Sequence, residues 1–267
     1  MKTAVVTGAG KGLGRQISEG LAAKGFSVLV TDIDELAAQE TASSIGGDSW
    51  AMQHDVRDPD AHRRVANEAT QRGSLTLWVN NAGVLSLGPN WELDDEDVRR
   101  HVEVNVLGVV WGTRAAIDAM REHGGQIINV ASISSLVPAP GLAVYGATKN
   151  AVLSYTVSVE GDLRRAGLPI RLSAVCPDAI DTDMVRDVQH SSEAGLIFSA
   201  KNLLTADDVA AIVVDLVGKP RLVVSVPRFR AVLAHLTRPF PRLGLRVLEW
   251  IRKIGDRRLE ALRKPED

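Results

Sequence analysis

Short runs of apolar residues rich in valine and isoleucine alternate along the chain with longer segments in which apolar positions recur every three to four residues. Six runs have the length and composition of buried strands: residues 3–7, 27–31, 75–80, 126–130, 170–176 and 222–226. Continuous apolar strands are typical of a parallel sheet that is covered on both faces, and the intervening segments are long enough for crossover helices. The pattern therefore predicts an α/β fold with a doubly wound, mostly parallel sheet.

Two segments carry the signals of a helix N-terminus. Thr205 stands before Ala206-Asp207-Asp208 as in a capping box, and Asp94 can cap a helix that runs through Asn105. The alternation of strands and helices continues to Val226 without a linker rich in proline, glycine or serine. We therefore predict one domain over residues 1–227, followed by an extension over residues 228–267.

The extension differs from the rest of the chain in charge. Residues 228–267 contain 11 Lys or Arg and 5 Asp or Glu, a surplus of +6, which leaves −8 for residues 1–227. Apolar side chains can share one face of a helix there: Leu243, Val247, Trp250, Ile251 and Ile254. Such a basic amphipathic helix can lie on an anionic membrane surface, bind a protein partner or second copy, or fold back over a substrate cleft.

Composition excludes several classes of protein. The chain has 267 residues, 45% hydrophobic and 24% charged, with a formal charge of −2, which argues against a nucleic-acid binder. No apolar run approaches the ~18 residues of a membrane span, and the first residues lack the apolar core of a signal peptide. The single cysteine, Cys176, cannot close an internal disulfide, and the histidines lack metal-ligand spacing. We therefore expect a cytoplasmic protein with neither a metal nor a nucleic-acid partner.

A glycine-rich turn, Thr7 to Gly14, follows the first predicted strand and opens a helix. Gly8, Gly12 and Gly14 fit the spacing Gly-x-x-x-Gly-x-Gly. Glycine permits close approach of a ligand to the backbone, and a helix N-terminus offers free N–H groups and a positive dipole end to a pyrophosphate. The turn therefore predicts a dinucleotide site.

The identity of the dinucleotide depends on two opposing charges. Asp32 ends the second predicted strand, eighteen residues after Gly14. A carboxylate there accepts hydrogen bonds from a ribose diol and repels a 2′-phosphate, which favours NAD. Lys11 acts in the opposite direction, because a cation in the glycine turn can pair with that phosphate. We expect NAD, with NADP as the alternative.

Tyr145 and Lys149 are spaced to lie on one face of a helix. A free tyrosine with a pKa near ~10 is a poor acid or base at neutral pH, but a neighbouring cation favours its ionised form. The pair therefore predicts a proton-transfer site.

Together with Asn80-Asn81-Ala82-Gly83, Asn105 and Ser132, these motifs resemble the short-chain dehydrogenase/reductase family over roughly residues 1–226. The resemblance implies a Rossmann-type fold with helices on both faces of the sheet, followed here by a C-terminal helical extension. It also implies hydride transfer between NAD(H) and a secondary alcohol or ketone, and a homodimer or homotetramer.

The resemblance further implies a role for each catalytic residue. Tyr145 would be the general acid/base, and Ser132 would hold the substrate oxygen. Lys149 would bind the nicotinamide ribose and lower the pKa of Tyr145, while Asn105 would hold a water in the proton relay.

Other residues are expected around the cofactor. Asp55 and Val56 would flank the adenine, Asn81 to Gly83 would line the cleft, and Thr182 would contact the nicotinamide carboxamide. The expected cofactor-binding set is Gly8, Lys11, Gly12, Leu13, Gly14, Asp32, Ile33, Asp55, Val56, Asn81, Ala82, Gly83, Tyr145, Lys149, Pro177, Ile180 and Thr182.

The chain departs from the family pattern after Pro177, where Asp178 replaces the usual glycine. Asp178 either alters the handling of substrate or cofactor or is an ordinary turn aspartate. Residues 184–204, where the family places its substrate lid, are largely apolar, so we expect a hydrophobic substrate. The alternatives are a non-catalytic dinucleotide-binding scaffold or sensor, and a membrane-docked enzyme for lipid-like alcohols.

Overall fold

The computed structural model describes residues 1–230, 232 and 239–263, and its centre is a sheet of seven strands. The strands are β1 (Lys2–Thr7), β2 (Ser27–Asp32), β3 (Trp50–Gln53), β4 (Ser74–Asn80), β5 (Gly125–Val130), β6 (Ile170–Pro177) and β7 (Val223–Val226). Their order is β3-β2-β1-β4-β5-β6-β7, and every neighbouring pair is parallel. The predicted doubly wound α/β fold is confirmed.

Helices connect the strands and cover both faces of the sheet. They are α1 (Gly12–Ala23), α2 (Glu35–Ile45), α3 (Pro59–Arg72), α4 (Asp95–Val102), α5 (Gly108–Met120), α6 (Ala143–Arg165), α7 (Asp183–Arg186), α8 (Ala206–Asp215) and α9 (Pro241–Arg263), with shorter turns at Glu103–Leu107, Ile133–Ser135 and Ala194–Ser199. Asp94 caps α4 by accepting from the Asp97 N–H at 2.6 Å, and Thr205 caps α8 by accepting from the Asp208 N–H at 3.1 Å. The helix that Asp94 starts does not stay α-helical through Asn105, because a π-helical turn begins at Glu103.

The core lies on both sides of the sheet. Alternate residues of a strand point to opposite faces, so Val6 packs with Ile17 of α1, whereas Val5 packs with Trp78 and Met120. All five side chains are fully buried. Burial on both faces explains why most strands are continuous apolar runs.

Strand β3 lies outside the six predicted runs. It pairs with β2 from Leu29↔Trp50 to Asp32↔Gln53 and forms one edge of the sheet. Its four side chains are half-buried or exposed, so it lacks the continuous apolar run that marks a central strand.

A crevice forms at the carboxyl edge of the sheet between β1 and β4. These strands are neighbours, but the chain leaves β1 toward β2 and leaves β4 toward β5. Ligands of doubly wound folds bind where the direction of winding reverses in this way. The glycine turn follows β1 and Asn81 follows β4, so both lie at this crevice.

Helix α9 folds back onto the domain and packs on the turn Ala194–Ser199. The contact is closest between Gly195 and Gly255, where an added Cβ at Gly255 would lie 2.7 Å from the Gly195 carbonyl carbon. Of the three interpretations of the extension, the structure shows a helix that folds over the cleft. Among the described helices, none has the length and apolarity needed to cross a bilayer.

Candidate active site

The glycine turn is held tightly against the end of β4. The Asn81 side-chain amide donates to the carbonyls of Thr7 and Gly8, both at 2.9 Å, and the Thr7 hydroxyl accepts from the Asn81 and Ala82 N–H groups at 3.1 Å. Gly8 has φ +61°, and a Cβ there would lie 2.7 Å from the Ala82 Cα. Only glycine satisfies both the torsion and the close approach.

The N-terminus of α1 opens into a cavity. No side chain of the described residues caps this helix end, and its first turn contains no acidic residue. Gly8, Gly12 and Gly14 line the cavity, and a Cβ at Gly12 would meet only Thr182, at 3.5 Å. Uncapped N–H groups and the helix dipole favour an anion, so these residues fit the pyrophosphate of a dinucleotide.

Asp32 lies at the end of β2, on the wall of the same cavity. One carboxylate oxygen accepts from the Gly10 N–H at 2.9 Å and the other from the Asp34 N–H at 3.1 Å. Two backbone donors therefore fix the carboxylate in the position where a ribose diol is recognised in doubly wound folds. Lys11, which is exposed, lines the cavity as well.

Tyr145, Ser132 and Lys149 meet on the cavity wall. Tyr145 and Lys149 lie one turn apart on α6, and Ser132 follows β5. The Tyr145 hydroxyl lies close enough to the Ser132 side chain to interact with it. The Lys149 ammonium lies 5.8 Å from the centroid of the Tyr145 ring and donates to the Val130 carbonyl at 3.0 Å. A phenol, a hydroxyl and an ammonium therefore converge at one point.

Burial shifts both titratable groups of this cluster. Desolvation raises the pKa of Tyr145, and the hydrogen bond from Ser132 opposes the shift only in part. Desolvation lowers the pKa of Lys149 to about 8, so the amine is mostly protonated at neutral pH. The net shift of Tyr145 is upward, opposite to the lowering expected from Lys149, because removal from water outweighs the other contributions.

Asn105 lies behind the cavity wall and is fully buried in the π-helical turn. Its Oδ1 accepts from the Val84 N–H at 2.8 Å, and its Nδ2 donates to the Val84 carbonyl at 3.0 Å and to the Thr148 hydroxyl at 3.2 Å. A Cβ at Gly83 would lie 3.2 Å from Asn105 Oδ1 and 3.4 Å from Lys149 Nζ. A side chain at Gly83 would therefore crowd both the Asn105 amide and the Lys149 ammonium.

Comparison with known families agrees with this geometry. A family model described as short chain dehydrogenase matches residues 2–193. The chain belongs to the short-chain dehydrogenase family. Its members are oxidoreductases that use a nicotinamide dinucleotide, and alcohol or ketone oxidoreduction is the general activity of its named relatives.

Individual relatives cover most of the chain. A 3-beta-hydroxysteroid dehydrogenase of Comamonas testosteroni is 37% identical over 69% of this chain and 73% of its own length. A 1-deoxy-11-beta-hydroxypentalenate dehydrogenase of Streptomyces exfoliatus is 35% identical over 82% of this chain and 81% of its own. The crystal structure of a short-chain dehydrogenase/reductase from Burkholderia phymatum in complex with NAD has a TM-score of 0.83 and 28% identity, and the match covers 91% of this chain and 94% of that one.

Not every residue expected at the cofactor lines the cavity of this dehydrogenase. The lining residues from that set are Gly8, Lys11, Gly12, Leu13, Gly14, Asp32, Asn81, Gly83, Tyr145, Lys149, Pro177, Ile180 and Thr182. Ala82 packs beneath the glycine turn instead. Ile33, Asp55 and Val56 follow β2 and β3 at the same edge of the sheet: Ile33 is exposed, Asp55 pairs with Arg57 at 2.7 Å, and Val56 is buried.

The remaining cavity walls come from segments without a motif. The cavity has a volume of about 510 Å³, and its apolar lining includes Val84, Leu85, Val137, Leu142, Val185, Leu196, Ile197, Val247, Leu248, Ile251 and Ile254. Residues from the predicted lid and from α9 therefore face the dehydrogenase cavity together. For residues 184–204 the family resemblance and the apolar composition indicated this role, and for the extension it was one of three interpretations.

His101 is a neighbour of Tyr145 that the sequence did not single out. Its ring meets the Tyr145 ring edge-on, with centroids 6.4 Å apart. Nδ1 lies 2.8 Å from the Asp97 carbonyl, and Nε2 accepts from the Ser86 N–H at 3.1 Å. These partners define a neutral tautomer with the proton on Nδ1. The buried imidazole therefore packs against the tyrosine ring and supports it. His101 belongs to none of the sequence motifs, so the sequence did not predict this role.

Asp178 also has a partner that lies far away in sequence. Its carboxylate pairs with Arg230 at 2.8 Å, and both side chains line the cavity. Asp178 is therefore more than a local turn residue. Cys176, next to Pro177, is a buried free cysteine.

Proposed function

We propose that this short-chain dehydrogenase interconverts a hydrophobic secondary alcohol and its ketone, preferring NAD(H), with Tyr145 as general acid/base. One observation carries the proposal. The neighbouring hydroxyls of Tyr145 and Ser132 lie on the wall of a single cavity that is lined by the glycine turn and by the apolar residues of the predicted lid and α9, which together form an apolar chamber. A substrate oxygen at these hydroxyls would have its carbon skeleton in the chamber.

The proton would move between Tyr145 and the substrate oxygen. During reduction, the phenol donates its proton to the oxygen of the former carbonyl, and during oxidation the phenolate takes the hydroxyl proton back. When bound, the nicotinamide supplies the hydride to the carbonyl carbon or accepts it from the carbinol carbon. Ser132 holds the substrate oxygen in line with the phenol by a hydrogen bond.

Lys149 would stabilise the charge that Tyr145 acquires. Because burial raises the pKa of Tyr145, forming the phenolate in this cavity requires a nearby positive charge. The Lys149 ammonium is the cationic group nearest along the helix, 5.8 Å from the ring centroid. Asn105, bonded to both polar groups of the Val84 backbone, would keep the wall behind Lys149 in place.

The preference for NAD rests on Asp32. Two backbone N–H groups hold its carboxylate on the cavity wall, so a 2′-phosphate would meet a fixed negative charge. Lys11 is exposed and can extend into water, so we expect it to attract that phosphate less strongly than the fixed carboxylate of Asp32 repels it. The NAD complex of the structural relative supports a nicotinamide dinucleotide of either kind.

The proposal is tested with the purified protein, NAD⁺ or NADP⁺, and a panel of secondary alcohols that ranges from short-chain to polycyclic. We expect turnover of apolar alcohols with NAD⁺, followed by the absorbance of the reduced nicotinamide. Ser132→Ala should lower kcat/KM by about 10²-fold or more, because the substrate oxygen loses its hydrogen bond. Tight NADH binding without turnover across the panel would favour the scaffold or sensor instead.

A membrane-docked enzyme is the second candidate, and one observation favours it. Trp250 and Leu243 of α9 are 65% and 54% exposed, beside the exposed basic residues Arg242, Arg246 and Lys253. Apolar and basic side chains together suit an anionic lipid surface. Co-sedimentation with anionic vesicles, compared between the wild type and a Leu243→Ser/Trp250→Ser variant, tests this candidate, and equal pelleting would remove it.

We also propose a homodimer or homotetramer in the cytoplasm. Family membership and the single cysteine support these proposals. Exposed apolar side chains on helices outside the cavity, Val102 and Val157 among them, offer a surface for self-association. Light scattering at several concentrations measures the assembly directly, and a monomer at all of them would contradict it.

A further inference from the structure

An ion pair lies on the wall of the cavity, to which the predicted lid and α9 contribute mostly apolar residues. Among the described lining residues that follow Met184 in the sequence, all are apolar or glycine except Arg230 and its neighbour Ser199. Trp250, which also lines the cavity, is largely exposed. Arg230 NH1 lies 2.8 Å from Asp178 Oδ2, and NH2 donates to the Ser199 hydroxyl at 3.2 Å. The side chains of Arg230 and Asp178 are only 23% and 9% exposed.

Stability does not account for this pair. Removing two charges from water is costly, and replacing a buried ion pair by apolar residues of similar volume is often neutral or stabilising. The pair is also not needed to attach the extension. Helix α9 is already seated on Gly195, its Arg252 pairs with Glu193 at 3.4 Å, and its Arg258 donates to the Ser199 carbonyl.

The cluster presents hydrogen-bond donors to the chamber. A guanidinium has five N–H donors, and the contacts to Asp178 and Ser199 use two of them among the described residues. The Ser199 hydroxyl donates to the Leu196 carbonyl at 2.7 Å, so it accepts the hydrogen bond from Arg230. A second Asp178 oxygen accepts from the Ala179 N–H at 2.9 Å. Arg230 is therefore the member of the cluster with donors left for a ligand.

The charge balance selects the kind of ligand. Asp178 already neutralises Arg230, so a ligand carboxylate would bring a second negative charge to one guanidinium in a desolvated site. A neutral oxygen acceptor adds no charge and satisfies the remaining donors.

From this arrangement we propose that Arg230, oriented by Asp178 and Ser199, binds a second, neutral oxygen of the substrate, a hydroxyl or carbonyl apart from the reacting one. The inference rests on the proposed function and deepens it. The preferred substrate is then an apolar skeleton with two oxygen functions, one at Tyr145 and Ser132 and one at Arg230. Asp178, where the family commonly has glycine, becomes a positioning residue for this subsite.

The test compares ketones that differ only in a tertiary hydroxyl, which cannot itself be oxidised. Three pairs of increasing size serve as probes: methylcyclohexanone and its tertiary alcohol derivative, decalone with and without a ring-fusion hydroxyl, and a saturated steroid ketone with and without a tertiary hydroxyl at the opposite end. A hydrogen bond to a charged group corresponds to roughly 10- to 100-fold in affinity. We expect wild-type kcat/KM to favour the hydroxylated member of the best-accepted pair by that factor, mainly through KM.

The variant Asp178→Asn/Arg230→Met removes both charges and leaves no buried carboxylate unpaired. It should bring the ratio within a pair close to one, and this ratio, not the kcat/KM of either ketone alone, is the quantity compared with the wild type. Arg230→Lys, which retains the ion pair but not the forked donor, should lose most of the preference and serves if the double variant does not fold. Arg252→Met is the matched control, because it breaks another ion pair of the extension, with Glu193, and Arg252 does not line the cavity.

Each outcome decides a different point. A ratio near one in the wild type, an unchanged ratio in Arg230→Lys and the double variant, or an equal loss in Arg252→Met would overturn the subsite while leaving the proposed function intact. A wild-type preference for a carboxylate in place of the hydroxyl would also overturn it. If no ketone of any pair is reduced, the proposed function itself fails and the subsite fails with it.

Discussion

Replacing Gly255 by alanine should lift α9 away from the chamber that it covers. A Cβ at Gly255 would overlap the Gly195 carbonyl oxygen and would lie 2.7 Å from the carbonyl carbon, whereas ordinary contacts begin at 3.4 Å. The two backbones would therefore have to separate by more than about 0.7 Å. Since both segments line the cavity, this separation would open the apolar chamber to water.

The size of the effect follows from two opposing terms. Overpacking costs about 1–3 kcal/mol in the free energy of unfolding, and alanine in a helix recovers up to about 1 kcal/mol relative to glycine. A net loss of about 1–2 kcal/mol corresponds to a Tm lower by roughly 2–8 °C for a chain of this size. We expect KM for an apolar ketone to rise several-fold while NADH binding stays unchanged, because the glycine turn is held by Asn81 and Ala82, which are not part of α9.

The assay combines thermal unfolding, NADH titration and ketone kinetics on the same variant. Gly161→Ala is the matched control, because Gly161 also lies inside a helix, α6, and a Cβ there meets nothing within 4 Å. That control should keep the wild-type KM and hold or raise the Tm. A Gly255→Ala variant with wild-type Tm and KM would refute the seating of α9 on Gly195.

Three further changes probe the turn, the cofactor choice and the ammonium. Asp32→Ala should shift the kcat/KM ratio from NAD(H) toward NADP(H) by roughly 10-fold or more, since the fixed negative charge is lost; an unchanged ratio would argue that Asp32 does not select the cofactor. Thr7→Val removes the acceptor for the Asn81 and Ala82 N–H groups and should cost about 1–3 kcal/mol in thermal unfolding, with weaker NADH binding, whereas a wild-type Tm would mean those groups find other partners. Folding lowers the pKa of Lys149 from 10.5 to about 8. Between pH 8 and 10.5 this amine is therefore protonated in the unfolded chain but largely neutral in the folded one, so the stability of the wild type should rise with pH over that range. Lys149→Met should be more stable at pH 7 and lose that rise, and equal pH profiles of Tm for the two proteins would contradict the shift.

Local patterns were sufficient to predict the strands and the central motifs. The runs around β1, β2 and β4 to β7 are apolar because both faces of the sheet are buried, so composition alone marks them. The glycine turn and the Tyr145–Lys149 pair are set by spacing within one loop or one helix. Strand β3 was not predicted, because it lies at the edge of the sheet with its side chains half-buried or exposed and therefore lacks the continuous apolar run that marks the other strands.

Local sequence patterns did not predict which residues far apart in the chain contact each other. The amphipathic pattern predicted a helix near Trp250, but its seat depends on Gly195 meeting Gly255, sixty residues later. Asp178 stood out as a departure from the family pattern, yet its pairing with Arg230 depends on how the extension folds. The same holds for the pKa of Tyr145, because its upward shift comes from burial by segments that the motif does not include.

The most direct measurement is the turnover of Tyr145→Phe on the best alcohol of the panel, beside Tyr155→Phe. Both variants lose one phenolic hydroxyl and keep the ring, but only Tyr145 lines the cavity. We predict that Tyr145→Phe still binds NADH and loses about 10²- to 10⁴-fold in kcat, while Tyr155→Phe retains wild-type turnover. Comparable turnover of Tyr145→Phe and the wild type would contradict the assignment of proton transfer to this hydroxyl.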